Sequence, residues 1–200
     1  MKTFGRRSPV ALLALSIVLG QWRPLFAAEP LELVKSAVER AIQVLKDPKL
    51  KAPDKKRERI EQLREIINPI FDYEEMARRT MGPHWRQLTP AEQQEFYNLF
   101  RNFLEKVYSD KVDLYDSQRV LFGRETIDQD YAQVESTAID AKGIESPVVY
   151  RLKRTDAKWK VYDAVVENIS IVNNYRSQFD RVISKSSYGE LKRMLKEKAG

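Results

Sequence analysis

Hydrophobic periodicity switches twice along this chain, and no other feature limits its fold so tightly. Leu31, Val34, Val38, Ala41 and Leu45 recur at three- and four-residue steps and mark one helix, stopped at Asp47-Pro48. Ile60, Leu63 and Ile67 mark a second, running from about Asp54 to Asn68-Pro69. In "FDYEEMARRTMGP", Asp72 is a helix N-cap with Glu75 as the other half of a capping box. Phe71 and Met76 stand where a hydrophobic staple puts them, and Gly82-Pro83 ends this short helix. Thr89, Pro90 and Glu92 repeat the start signal for a fourth helix, striped with Phe96, Leu99, Phe100, Phe103, Leu104 and Val107. Then the period changes. "RVLFGRETI" (119–127), "YAQVESTAI" (131–139), "PVVYRLKR" (147–154) and "WKVYDAVV" (159–166) read as strands, with "DAKG" and "TDAK" as turns, so consecutive antiparallel pairing is expected. Two helices close the chain, one from about Ser170 and one after Ser187, where Glu190 makes another capping box. Runs of helix, then strand, then helix indicate an α+β fold: an antiparallel sheet of about four strands packed with about six helices.

The first 28 residues stand apart from that pattern. Lys2, Arg6 and Arg7 precede the apolar run "VALLALSIVL" (10–19), and the small residues Ala27 and Ala28 follow. This is the layout of a secretory signal, and a bilayer span needs about 20 apolar residues. Residues 1–28 are therefore read as a signal peptide cleaved near Ala27 or Ala28, and 29–200 as one domain. Residues 1–27 hold four basic and no acidic side chains, so removing them takes the formal charge from +6 to +2. So balanced a chain lacks the concentrated basic excess of a nucleic-acid binder. The absence of cysteine excludes disulfides, thiol catalysis and cysteine-ligated zinc.

Catalytic chemistry finds little support in the residues. His84 is the sole histidine and sits in "GPHW" directly after a helix stop, with no evident orienting partner. No glycine-rich phosphate loop occurs, and no metal site or cofactor is expected. Asp163 and Glu167 flank the end of the last strand; nothing in the sequence favours a catalytic pair over a structural ion pair with a neighbour such as Lys160 or Arg176.

The strand "WKVYDAVV" poses a separate question. By strict alternation Trp159, Val161 and Val165 point one way while Tyr162, Ala164 and Val166 point the other, so both faces ask for cover. An antiparallel sheet with helices on one side usually leaves its other face polar. Either helices lie on both faces or an apolar cavity lies on one.

"NPIFDYEEMARRTMGPHWRQLTPAEQQEFYNLFRNFLEKVYSDKVDLY" (68–115) followed by "WKVYDAVVENISIVNNYRSQF" (159–179) resembles the MlaC family, also called toluene-tolerance proteins. The resemblance covers nearly all of the chain after residue 28. It implies a periplasmic phospholipid-binding protein, not an enzyme, whose deep hydrophobic pocket lies between sheet and helices. Acyl chains sit inside, where each buried methylene contributes about 0.8 kcal/mol. Phospholipid is then the cargo. The implied partners are an inner-membrane ABC lipid-transport complex and an outer-membrane lipoprotein–porin complex, docked reversibly by a monomer. Family members commonly have Gly where this chain has Asn168, a residue that tolerates positive φ. A hopanoid-associated branch leaves the lipid class open, and a lipid- or glycan-acting hydrolase is the competing class.

The expected pocket lining is Phe100, Phe103 and Leu104 from the fourth helix, Tyr150, Leu152, Val161 and Val165 from the strands, and Val172 and Tyr175 from the next helix. The basic runs 49–59 and 192–198 are solvent-compatible, and at least one is expected to steer docking on an acidic surface.

Overall fold

Five strands make one antiparallel sheet in simple sequential order: β1 (Arg119–Asp128), β2 (Tyr131–Ile139), β3 (Glu145–Thr155), β4 (Lys158–Val166) and β5 (Ile169–Ser170). The structure, a computed structural model, describes residues 29–110 and 119–199, so the expected signal segment, residues 1–28, lies outside it. The four expected strands pair as expected. The two-residue β5 is an addition, formed because the chain folds straight back after β4 before entering a helix. Both late hairpins turn on two residues at positive φ, Asp156 and Ala157 (49° and 61°) and Glu167 and Asn168 (50° and 66°), the geometry whose twist matches paired strands. Asn168 thus takes the left-handed conformation its position demands. Glu167 must do so too, and its carboxylate accepts the Ser146 hydroxyl at 2.7 Å.

The register corrects the sequence reading of β4. Leu152 pairs with Val161 but Arg151 pairs with Asp163, so Tyr162 is the extra residue of a β-bulge. Past that point the alternation is reset. Trp159, Val161, Ala164 and Val166 share one face with Tyr150 and Leu152, whereas Tyr162, Asp163 and Val165 share the other with Val149 and Arg151. Val161 and Val165, adjacent under strict alternation, lie on opposite faces.

Helices lie against both faces. On the first is α1 (Pro30–Lys46), whose fully buried Val34 packs with Ala132, Val134, Leu152 and Val161. Its N-terminus lacks a side-chain cap from Glu29; instead the Glu125 carboxylate of β1 accepts the Leu31 amide at 2.6 Å. A second helix, α2 (Lys56–Ile67), runs beside α1. The segment after it covers the edge of β4: the Val161 amide donates to Ile70 O at 2.7 Å, and the Asp72 amide donates to Val161 O at 2.8 Å.

The other layer holds α3 (Tyr73–Met81), α4 (Pro90–Ser109), α5 (Ile171–Lys185) and α6 (Tyr188–Ala199), closed over Met76, Met81, Phe96, Phe100, Phe179, Leu191 and Leu195. Asp72 caps α3 by accepting the Glu75 amide at 2.9 Å, but the expected box is only half formed. The Asp72 amide is taken by β4, which frees the Glu75 carboxylate for Arg78, Arg79 and Lys153. Thr89 and Glu92 form the complete box on α4.

Candidate functional site

Helical spacing puts Tyr175, Phe179 and Val182 on one stripe of α5 and Leu191, Met194 and Leu195 on one stripe of α6, facing Phe103 of α4. The three stripes do not close completely. They leave a cavity of about 460 Å³, open on one side, inside the range of roughly 300–1,000 Å³ typical of small-molecule pockets. Its floor is aromatic: Tyr175 stands edge-on to Phe103 at 5.2 Å and stacks on Phe179 at 5.6 Å. Burial pushes the Tyr175 hydroxyl above its ordinary value, as expected for a phenol held over an apolar floor. The rim is cationic, with Arg181, Lys185 and Lys198 around the opening.

The residues expected to line a pocket do not come together as one wall. Phe103 and Tyr175 border the cavity. Phe100, Leu104 and Val172 are buried directly behind them in the same cluster, with Phe100 fully enclosed. Leu152 and Val161, both fully buried, and the half-buried Tyr150 pack beneath α1 on the far face of the sheet. Val165 is alone on the near face, half-buried, paired across to Val149. The bulge at Tyr162 causes the split. The α6 wall of Leu191, Met194 and Leu195 is not among the expected residues: its helical spacing is present in the sequence, but the basic residues among them give the segment the pattern of a solvated surface.

Beside Val149 and Val165, Leu121 of β1 points to the same near face at 51 % exposure. At the end of α4, Tyr108 is 45 % exposed, yet burial pushes its hydroxyl upward, with Tyr175 and Asp163 adding to the effect.

The groups considered for catalysis are tied up structurally. His84 Nε2 lies 2.9 Å from Asp180 Oδ1, linking the turn after α3 to α5. Asp163, 2 % exposed, accepts from Ser170 Oγ (2.7 Å), the Val172 amide (3.1 Å) and Arg151 Nη1 (3.2 Å). Its cationic partner is therefore Arg151 and not Arg176. The Arg176 guanidinium instead lies against Gly82, where a Cβ would stand 2.8 Å from its Nε; Gly82 also has φ of 54°. Among the described residues no group of three or more His, Asp or Glu is placed to hold a metal.

The basic runs also look different in three dimensions. Lys192 and Lys196 reach across to Glu95 of α4 at 2.8 and 3.3 Å, and Arg193 pairs with Glu190 and Glu197. In the other run Lys55 pairs with Glu58 and Arg57 with Glu61.

Among the described residues six helices and five strands form an α+β domain with an apolar concavity among the helices, and that is the class this architecture defines. The chain belongs to the MlaC protein family, whose model matches residues 35–197. It is 27 % identical over 119 residues to the toluene tolerance protein ttg2D of Pseudomonas putida, a match covering 58 % of this chain and 55 % of that protein. It is 19 % identical over 134 residues to the intermembrane phospholipid transport system binding protein MlaC of Haemophilus influenzae, covering 64 % and 63 %. The matches thus span less than two thirds of either relative's length. The fold is similar to that of the phospholipid-binding protein from Ralstonia solanacearum, solved in complex with a phospholipid: TM-score 0.74 at 28 % identity, over 86 % of this chain and 97 % of that one.

Proposed function

We propose that this protein is a periplasmic phospholipid carrier, the soluble component of an ABC-type lipid-transport system, exported by cleavage near Ala27 or Ala28. The observation that carries this reading is the match of 86 % of the chain to a fold solved with a phospholipid bound. The apolar concavity over Phe103, Tyr175 and Phe179 is in keeping with it. In this reading an acyl chain lies on that floor, Phe100, Leu104 and Val172 back it, and Val165 flanks it on the sheet side. Tyr150, Leu152 and Val161 serve the pocket indirectly, by fixing the sheet against α1. The carrier docks on an inner-membrane lipid-transport complex and an outer-membrane lipoprotein–porin complex as a monomer. It performs no catalysis; the three hydrogen bonds that occupy Asp163 support that view.

Mass spectrometry of protein purified without detergent tests the reading. Co-purifying phospholipid is expected. Protein that stays lipid-free after incubation with liposomes would eliminate it, and a hopanoid in place of phospholipid would reassign the cargo.

A further inference from the structure

We infer that Arg181, Lys185 and Lys198 form an anion-selecting mouth on the cavity between α4, α5 and α6, favouring lipids whose phosphate head group has net negative charge. This rests on the carrier reading above and adds a head-group preference to it.

Three observations converge on these side chains. All three line the cavity and are exposed, which sets them on its solvent side. None pairs with a carboxylate among the described residues, although the neighbouring Lys192, Arg193 and Lys196 all do. The single acid among the residues that line the cavity, Glu190, is engaged by Arg193, which it shares with Glu197. Among the described residues, the three rim cations therefore outnumber the acids that face them.

Ordinary helix design accounts for only part of this arrangement. Lys185 and Lys198 lie in the last turns of α5 and α6, where the helix dipole welcomes a cation. Arg181 has no such justification. It stands four residues before Lys185 on the same helix, a like-charge spacing that weakens a helix unless something anionic lies between. A local conflict of this kind, kept without compensation, is expected at functional positions. Phosphate resolves it, because guanidinium and ammonium groups both bind its oxygens with charge-assisted hydrogen bonds.

The floor limits which phosphate. Phe103, Phe179, Leu191 and Leu195 offer nothing to a free ion, so the fitting occupant has a hydrocarbon chain below and an anionic head above. A zwitterionic head would bring its ammonium towards three cations; a glycerol head would not. Discrimination then comes from repulsion of one class as much as from attraction of the other.

The test uses the mature chain and vesicles of equal phosphatidylethanolamine and phosphatidylglycerol, with bound lipid quantified by mass spectrometry after re-isolation at physiological salt. Wild type should hold phosphatidylglycerol enriched at least 3-fold over the vesicle ratio. The variant Arg181→Gln, Lys185→Gln, Lys198→Gln should hold its lipid at the vesicle ratio. A charge-matched control, Lys55→Gln, Lys56→Gln, Arg57→Gln, should keep the enrichment, which separates the mouth from general attraction of a basic protein to anionic vesicles. Glycerol phosphate and inorganic phosphate should not displace the lipid; displacement would mean a simple ion site and overturn the inference. Lipid bound without enrichment in wild type, or enrichment kept in the rim variant, also overturns it while leaving the carrier reading intact. No lipid in any protein sinks the carrier reading itself. Unchanged enrichment with transfer to the membrane complexes lost would make the rim a protein-docking surface and refute a lipid-selecting role.

Discussion

Asp163 accepts the amide of Val172 at 3.1 Å, so a carboxylate on β4 caps the helix that follows it. The same carboxylate holds Ser170 Oγ and Arg151, and Ser170 in turn accepts the Asn173 amide at 3.0 Å. Strand, turn and helix start are thereby locked into one unit. Removing the carboxylate leaves the Ser170 hydroxyl and the Val172 amide without their acceptor, while Arg151, 36 % exposed, can turn to water. Asp163→Ala is expected to cost about 2–4 kcal/mol, the sum of two buried donors left unpaired. Asp163→Asn keeps one acceptor oxygen and should cost distinctly less. Urea unfolding midpoints for the two variants decide; equal and small losses would show that the network holds little of the fold.

The bulge at Tyr162 makes a sharper claim about the sheet. Leu152 and Val161 are fully enclosed beneath α1, whereas Val165 is half-buried on the opposite face. Leu152→Ala should destabilise by about 2–5 kcal/mol, the usual cost of an unfilled core site. Leu152→Asp and Val161→Asp should fail to fold cooperatively, because a buried charge there has no partner. Val165→Asp should fold with a normal thermal transition and lose bound lipid. Circular dichroism melts paired with lipid extraction give the result, and a folded, lipid-free Leu152→Asp protein would return that residue to the pocket.

Much of this architecture was legible in the sequence because its signals are local. Asp47-Pro48, Asp72, Thr89 with Glu92, and Gly82-Pro83 each act within a few residues, and each marks the helix boundary that the structure has. Hairpin order followed from short turns. The site was less legible because it depends on register. One inserted residue between Val161 and Asp163 moves Val165 to the other side of the sheet, and no periodicity can announce a bulge. The α6 wall was obscured differently: Leu191 and Leu195 alternate with Lys192, Arg193 and Lys196, whose ion pairs with α4 and with α6 itself exist only in three dimensions.

The β3–β4 turn carries a correctable strain. Ala157 sits at φ of 61° in a two-residue hairpin loop, a conformation that costs a non-glycine residue about 1–3 kcal/mol and that alanine has no polar side chain to offset. Glycine adopts it freely but loses more entropy on folding. The expected net gain for Ala157→Gly is about 1 kcal/mol, or roughly 2–4 °C in Tm for a domain of this size. Differential scanning calorimetry reads it directly; a lower Tm would mean that the unfolded chain's entropy outweighs the relieved strain.

Acid stability should respond to Glu75. This carboxylate is 8 % exposed and takes hydrogen bonds from Arg78 at 2.7 Å and Arg79 at 2.9 Å, with Lys153 at 3.5 Å. Burial on its own would raise its pKa, but the hydrogen bonds and charges of Arg78 and Arg79 outweigh that and hold it below the ordinary value of 4.5. A carboxylate depressed in the folded state contributes stability that is complete above the unfolded pKa and is lost as pH falls through the folded one. Glu75→Gln should therefore be less stable than wild type at pH 7, by an amount that stays constant down to about pH 5.5. Below about pH 4.5 the gap should narrow, because the carboxylate protonates in the unfolded chain while it is still ionised in the fold, and the charge contribution is gone once the folded carboxyl protonates too. Denaturant titrations of both proteins at pH 7, 5.5, 4.5 and 3.5 measure the gap at each step. A difference that stays the same across all four would place the contribution of Glu75 in its packing and not in its charge.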